Sequence, residues 1–324
     1  MKYPVTLAIA LAVIASPHQL SAQASGPMDV LERQDLRLAT VAERMLGAND
    51  SLCRQHMPLI GLILHSRDQY SASTAGNAFA NGRIAVEAVL PGTAAANAGI
   101  VAGDGIAAIN SIRTDTMTRK DDAPLRDTAF EALADAASPV ALALVRGGHE
   151  RAVTIAAPQG CRALVEIRSS NILNARSDGR VIQVNYGLAA RATDDELAVI
   201  FAHEMGHLVL EHRRRLTEAG VEKGFFGEFG RNRRLNRQVE EEADRMSAHL
   251  LANAGYDPAI APAFWRSKLG KRAGGGLFRS GTYPSPGARA GLVETEIASY
   301  LGAPLAPDHA AHLLAARDAP FARN

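Results

Sequence analysis

The feature that most constrains this chain is the segment His203-Glu204-Met205-Gly206-His207, which follows six apolar residues at positions 197–202. Just upstream, Thr193-Asp194-Asp195-Glu196 matches the capping-box pattern, in which a threonine and a glutamate three residues later satisfy free backbone N–H groups. The pattern predicts a helix from there to about His212. Because residues four apart share a helix face, His203 and His207 must point the same way.

Two imidazoles on one helix face can bind a single metal ion, and Glu204 between them can contact a water molecule beside it. The set predicts one Zn²⁺ per chain, with His203 and His207 as ligands and Glu204 as general base for hydrolysis. The five-residue pattern also arises by chance, and the alternative is a pair of ordinary surface histidines. The apolar setting counts against that alternative, because unpaired buried imidazoles are costly.

A third ligand is expected on a second helix, predicted over about residues 236–254 and followed by Gly255 and Pro258. This helix contains Glu240-Glu241-Glu242-Ala243-Asp244, in which Glu240 and Asp244 share a face. From these positions Glu240 can bind the metal while Asp244 accepts the free N–H of a ligand histidine. The alternative is a solvated acidic face.

Short apolar runs between residues 59 and 155 alternate with glycine, proline and asparagine clusters, which predicts strands joined by turns, with one helix over residues 125–137. Val89-Leu90-Pro91-Gly92 and Gly103-Asp104 resemble a PDZ domain, in which a Pro-Gly turn, a small-residue helix and a Gly-Asp pair follow a strand. The resemblance covers residues 58–157 and implies a peptide groove at Gly61, Leu62 and Ile63. The alternative is a PDZ-shaped spacer with a closed groove.

The N-terminus has the features of a secretory signal. Lys2 precedes an apolar run at residues 5–15, and Ala22-Gln23-Ala24 fits a signal-peptidase site, so residues 1–24 are interpreted as a cleaved signal peptide. A membrane anchor is the alternative, but the run is shorter than the roughly 20 residues needed to span a bilayer. We expect a mature chain without a membrane span, in the periplasm or secreted.

The two cysteines, Cys53 and Cys161, both follow the predicted signal. In an oxidising compartment we expect them to form a disulfide, the alternative being two buried free thiols. With 35 basic against 34 acidic residues, the net charge of +1 gives no indication of a nucleic-acid partner. Polypeptide substrates are the expected partners, and the sequence leaves the oligomeric state open.

Residues 160–300 resemble the gluzincin peptidases that include HtpX and the CAAX prenyl proteases, in particular their soluble periplasmic members. The family pattern is H-E-x-x-H followed by E-x-x-A-D on a later helix, as found here from His203 and from Glu240. The resemblance implies peptide hydrolysis, with Glu240 as the third metal ligand, Glu204 as the general base and Asp244 as the carboxylate behind a ligand histidine. It also implies a substrate-binding strand at Asn174-Ala175. Transition-state stabilisation is implied for Arg289 and for Tyr283, which stands where the family often has histidine.

The predicted fold class is α+β. A mainly helical zincin-type metallopeptidase domain with a small sheet occupies residues 158–324, a PDZ-like β-rich domain residues 58–157, and a helical segment residues 25–57. Residues 224–230 are either a mobile lid or a loop packed on the core. His212 and His249 receive no role, and Arg213-Arg214-Arg215 is interpreted as the charged end of a helix.

These features together favour an endopeptidase that cleaves unfolded or mislocalised envelope proteins, with the PDZ-like domain binding substrate or regulating access. One alternative is a catalytically silent PDZ-type peptide-binding protein with a structural zinc site, against which the general base Glu204 argues. An intramembrane protease would require several spanning helices, and the sequence beyond the signal has no stretch apolar enough for them.

Overall fold

The computed structural model describes residues 27–75, 77–221, 230–276, 284–302, 304–306 and 308–321. The predicted signal peptide, the segment 224–229 and Tyr283 lie outside these residues. In the described ranges, no helix has the length and apolar character needed to cross a bilayer.

The first half of the chain contains one long helix followed by a mostly β region. Helix α1 buries Leu38, Met45 and Leu46, as the apolar spacing predicts. The elements are α1 (Pro27–Ala48), β1 (His56–Pro58), β2 (Leu62–Ser66), α2 (Ala72–Ala75), β3 (Ile84–Val89), α3 (Ala94–Asn97), β4 (Gly105–Ile109), β5 (Ile112–Arg113), α4 (Leu125–Ala134), β6 (Val140–Arg146) and β7 (His149–Ile155).

Strands β2 to β7 form one antiparallel sheet in the order β2-β3-β4-β6-β7, with β5 paired to β4. Buried apolar residues between Ile60 and Ile155, including Leu125, Ala129 and Leu133 of α4, form a separate core cluster. Strand β2 lies at the sheet edge, where the predicted groove residues Leu62 and Ile63 are located. The PDZ likeness stays a prediction.

A disulfide and a short strand pair close this β lobe at its base. Strand β8 (Gln159–Cys161) pairs antiparallel with β1, and Cys161 bonds to Cys53 with Cα atoms 5.5 Å apart. The disulfide prediction is therefore confirmed. It closes a loop of 108 residues, and the chain-entropy model gives about 4 to 5 kcal/mol of stabilisation for a loop of that size.

The second half is mainly helical, with a small sheet in the order β10-β11-β9. Strand β9 runs parallel to β11. Strand β10 pairs antiparallel with β11 and forms one edge of the sheet. The elements are β9 (Leu164–Arg168), β10 (Ala175–Ser177), β11 (Val181–Asn185), α5 (Tyr186–Ala189), α6 (Asp194–Val209), α7 (His212–Glu218), α8 (Gly230–Asn253), α9 (Ile260–Arg266), α10 (Lys268–Gly276), α11 (Pro286–Tyr300) and α12 (Ala311–Asp318). The mixture of helix and sheet confirms the α+β class.

Helix α6 lies at the centre of this half and packs on α8, α1 and α9. Its capping box forms as predicted, because Thr193 accepts from the Glu196 N–H and Glu196 accepts from the Thr193 N–H. The helix ends at Val209, three residues before the predicted end, and Glu211 has a left-handed φ of 51°. The chain turns there, and α7 begins at His212.

The interpretation of Arg213-Arg214-Arg215 as the charged end of a helix was wrong, because these residues lie near the start of α7. Arg215 also differs from its two exposed neighbours. Its side chain is buried, forms an ion pair with Glu242 and lies over the ring of Phe321. The stretch opens α7 instead of closing α6, so one of its side chains faces α8.

Candidate metal centre

Helices α6 and α8 bring together the three residues predicted as metal ligands. Gly206 permits a close approach, because a Cβ at this position would lie 3.0 Å from the Ala243 carbonyl oxygen. His203 Nε2 lies 3.3 Å from His207 Nε2 and 3.3 Å from Glu240 Oε2, while His207 Nε2 lies 3.5 Å from Glu240 Oε1. The three side chains thus converge on one point from two helices.

The spacing of these atoms fits a tetrahedral zinc site. Ligand atoms about 3.3 to 3.5 Å apart form the edges of a tetrahedron whose metal–ligand bonds are about 2.0 to 2.2 Å long. Glu240 Oε2 is buried and makes no hydrogen bond within the described residues, although His203 is close. A buried carboxylate oxygen without a donor is costly, and a cation bound here would satisfy it.

His203 is oriented by a buried ion pair behind it. Its Nδ1 lies 3.1 Å from Oδ1 of Asp244, the carboxylate predicted to accept from it. Arg289 donates from Nε and Nη2 to the two oxygens of Asp244, at 2.6 Å each, and stacks on Trp265 at 3.5 Å from the ring centroid. Asp244 therefore holds His203 with Nε2 directed at the metal position.

His207 is oriented by residues to which the sequence analysis gave no role. Its Nδ1 lies 2.8 Å from Nδ1 of His212, and His212 Nε2 lies 3.1 Å from Glu242 Oε2. Glu242 is in turn paired with the buried Arg215. These contacts fix the proton positions. His212 donates from Nε2 to Glu242, so the Nδ1 of a neutral His212 accepts from the Nδ1–H of His207. The Nε2 of His207 therefore has a lone pair, which faces the metal position.

The pKa values of these groups follow from burial and from their mutual contacts. Burial lowers the pKa of His207 to about 3. Burial also lowers the pKa of His203, but Asp244 and Glu240 outweigh it and raise the value to about 9. For Glu240, burial raises the pKa, but His207, His203 and Arg289 bring it down to about 2. The negative charges of Asp244 and Glu240 thus favour a positive charge, a proton or a cation, among the three predicted ligands.

Glu204 is the buried carboxyl group predicted as general base. Burial raises its pKa to about 7, against the lowering effects of His203 and Arg289 and of a hydrogen bond from the Ser177 backbone N–H. A carboxyl group that titrates near neutral pH can both accept and return a proton at that pH.

A large cleft leads to the centre between the β lobe and the helical half. It has a volume of about 1070 Å³ and is lined by His207 and Glu240, by β10, and by Arg126 and Glu166, which form an ion pair across it. Of β10, Arg176 and Ser177 line this cleft, whereas Ala175 lines a smaller cavity of about 40 Å³ together with His203 and Glu204. The backbone carbonyl of Asn174 accepts from the Asn185 N–H of β11. Along β10, residues whose backbone groups bond to β11 alternate with residues whose backbone groups point away from it. The N–H and C=O of Ala175 therefore point away from β11.

The remaining predicted residues lie at different distances from the centre. Arg289 is buried beside it, with two of its nitrogens engaged by Asp244, so the structure assigns it a positioning contact, and transition-state stabilisation stays a prediction. Gly61, Leu62 and Ile63 line a separate cavity of about 190 Å³ between β2, α4 and α1. Tyr283 lies outside the described residues.

This arrangement is typical of zincin-type metallopeptidases. It consists of a histidine pair on one helix, a glutamate on a later helix and a buried carboxyl group beside them. The family model described as Peptidase family M48 matches residues 143–229, which include His203, Glu204 and His207 and end before Glu240. Mitochondrial metalloendopeptidase OMA1 of Arabidopsis thaliana is 32% identical over 123 residues, covering 31% of this chain and 24% of that protein. The chain thus spans about a quarter of the relative's length. Both matches support a zinc metallopeptidase of the M48 type.

Proposed function

We propose that this chain is a zinc-dependent endopeptidase that hydrolyses peptide bonds in unfolded or mislocalised cell-envelope proteins. The observation that carries the proposal is the convergence of His203, His207 and Glu240 within 3.3 to 3.5 Å of one another, beside the buried Glu204. The similarity to a family of peptidases and to a metalloendopeptidase supports the same chemistry. The envelope location rests on the signal-like N-terminus and the disulfide.

The chemistry is divided between the bound ion and the protein. Zinc, when bound, supplies Lewis acidity that polarises a scissile carbonyl and acidifies water. Glu204 accepts the proton of the attacking water and returns it to the leaving amine, for which a pKa of about 7 is suited. Asp244 and His212 keep the two imidazoles in the tautomers that present Nε2 lone pairs.

The substrate chain binds in extended form along the free edge of β10. The backbone groups of Ala175 are directed toward it, and Ala175 lines a small cavity together with His203 and Glu204, so the general base lies beside that edge. The buried side-chain oxygen of Asn174 has no donor within the described residues and can accept from the substrate backbone. Backbone pairing tolerates many sequences, which suits an enzyme that acts on unfolded chains.

The β lobe positions the substrate or regulates its access. Its groove residues Gly61, Leu62 and Ile63 face helix α1 instead of open solvent, and their cavity adjoins the main cleft at Arg126 and Glu166. A peptide held in this groove would lie next to the route to the metal centre. This favours a role in admission of substrate.

The test compares casein cleavage by the wild-type protein and Glu204→Gln, each with and without a chelator. We expect Glu204→Gln to lose about 10²- to 10⁴-fold in kcat while it retains zinc, because only proton transfer is removed. Glu241→Gln, a half-exposed carboxylate on α8 that pairs with Arg237, is the matched control and should cleave normally. Equal cleavage by all proteins, with or without chelator, would refute an enzymatic role for this site. The inactive variant can then be used to trap envelope substrates.

A further inference from the structure

A second cluster of potential ligands lies on the far side of α8, outside the site described above. His249 of α8, Glu296 of α11 and His312 of α12 place their ligand atoms within 4.8 Å of one another. The Nε2 atoms of His249 and His312 lie 2.8 Å and 2.7 Å from the same oxygen, Oε1 of Glu296. His249 is fully buried, Glu296 is 5% exposed and the side chain of His312 is 30% exposed, so the cluster opens to solvent at one ligand.

The hydrogen bonds behind His249 have a defined direction. Asn49 donates from Nδ2 to the carbonyl oxygens of Met45 and Leu250, so its Oδ1 accepts from Asn253 Nδ2. Asn253 Oδ1 is thereby left as the acceptor for His309 Nε2, at 2.9 Å. A neutral His309 then carries a lone pair on Nδ1.

This lone pair determines the state of His249. The two Nδ1 atoms of His309 and His249 are 2.6 Å apart, so His249 must supply the proton between them. A neutral His249 consequently presents a lone pair on Nε2 toward the Glu296 carboxylate. Two acceptors at 2.8 Å repel each other unless a positive centre lies between them.

The metal centre shows the same order of atoms. There, His207 also contacts a second histidine through Nδ1, that histidine is held through its own Nε2, and the Nε2 of His207 faces a glutamate. The order in both places is a glutamate, an Nε2 lone pair, an Nδ1–Nδ1 contact and a fixed outer acceptor. A contact at Nδ1 fixes the tautomer of a neutral histidine and directs its Nε2 lone pair at a metal ion. The same arrangement at His249 therefore indicates a cation position between its Nε2 and Glu296.

We propose that His249, Glu296 and His312 form a second cation site, which takes a divalent ion of the zinc type and fastens the C-terminal helix α12 to α8 and α11. Two imidazoles and one carboxylate are a donor set that suits zinc, with water as the fourth ligand on the exposed side of His312. The present Nε2–Oε1 distances of 2.8 and 2.7 Å are hydrogen-bond distances, so binding of the ion requires an outward shift of His312, the exposed ligand of the three. Arg245 lies 4.0 Å from the other oxygen of Glu296, and its charge makes this site weaker than the first.

Metal stoichiometry in saturating zinc tests the proposal on the full chain. Two zinc ions per chain are expected for the wild type, one for His207→Ala, one for His312→Ala and none for the double variant. His149→Ala, an exposed histidine on β7, is the control and should retain two. His312→Ala should keep its peptidase activity, because this residue is remote from the metal centre.

A thermal-shift series separates metal loss from misfolding. Added zinc should raise the Tm of His207→Ala but not that of His207→Ala/His312→Ala, each protein being compared with its own Tm in chelator, because loss of the His312–Glu296 hydrogen bond alone lowers the metal-free Tm. If the wild type and His312→Ala bind the same number of ions, and zinc shifts both proteins of the series equally, the proposal is overturned. The positive centre between His249 and Glu296 is then a proton.

Discussion

The two ligand histidines of the metal centre are held by different kinds of partner. His203 is backed by a carboxylate whose charge is balanced by Arg289. His207 is backed by a second histidine, which passes the contact on to Glu242. The neutral imidazole of His212 lies between His207 and Glu242, so it orients His207 but keeps the carboxylate charge farther from it. The two ligand histidines therefore differ in basicity, although both lie on α6.

Loss of the outer contacts of His207 should weaken metal binding without changing any ligand. We expect His212→Ala and Glu242→Gln each to lower zinc affinity by about 10- to 100-fold, because His207 is then free to rotate or to adopt the other tautomer. Competition with a chromophoric chelator measures the change. Glu241→Gln, between Glu240 and Glu242 in sequence, is the control. Unchanged affinity in both variants would mean that packing alone orients His207.

The sequence predicts ligand residues better than their supports. His203 and His207 are predicted from their spacing along one helix, which depends only on local geometry, and the family resemblance selects Glu240 from three consecutive glutamates. The pairing of His212 with His207 depends on a left-handed residue at Glu211, and that of Arg215 with Glu242 depends on how α7 lies against α8. Such contacts arise from tertiary packing, and a one-dimensional pattern does not contain them.

At the scale of elements, the centre depends on how closely α6 approaches α8. The capping box at Thr193 makes the start of α6 predictable, whereas its end is set by the turn that brings His212 back to His207. The contact between the helices is closest at Gly206, where the backbone of Ala243 occupies the space that a side chain would fill. Glu240 lies one turn before Ala243, so a shift of α8 at this point would move the third ligand.

Gly206→Ala should therefore separate the two helices. A Cβ 3.0 Å from one backbone atom of Ala243 and 3.2 Å from another requires a backbone shift. We expect a loss of about 1 to 3 kcal/mol in unfolding free energy together with weaker zinc binding. Gly291→Ala in α11 is the matched control, because its Cβ would meet no atom within 4 Å, and it should gain about 0.5 to 1 kcal/mol from helix propensity. Similar effects of both substitutions on unfolding would contradict the close-packing argument.

At the scale of the whole molecule, the two halves meet across a partly acidic interface. Strand β2 and α4 of the β lobe face α1, and the cavity between them contains Asp35 and Glu87. The sequence predicts a β-rich lobe inserted before a helical peptidase region, and the disulfide that closes it. It did not predict that the groove would face α1, because this orientation depends on side chains far apart in sequence.

The same interface should make stability depend on pH. Burial raises the pKa of Asp35 to about 7, and burial with the charge of Asp35 raises that of Glu87 to about 8. The unfolded chain releases these protons near pH 4, whereas the folded chain retains them to higher pH. The stability contributed by the protonated groups is therefore complete below about pH 4, declines as pH rises, and is lost above the folded pKa values.

Asp35→Asn should remove part of this decline. The asparagine oxygen can still accept from the Ile167 N–H, which lies 2.9 Å from Asp35 Oδ1, so the fold is preserved. Relative to the wild type, we expect little change at pH 4 and a gain of about 1 to 3 kcal/mol at pH 8, discounted from the full pKa shift because Asp35 is only half-buried. Denaturant unfolding between pH 4 and 8.5 measures the difference, with Asp121→Asn at the surface as the control for loss of one carboxylate. Parallel pH profiles for Asp35→Asn and the wild type would show that Asp35 is ionised in the folded chain throughout this range.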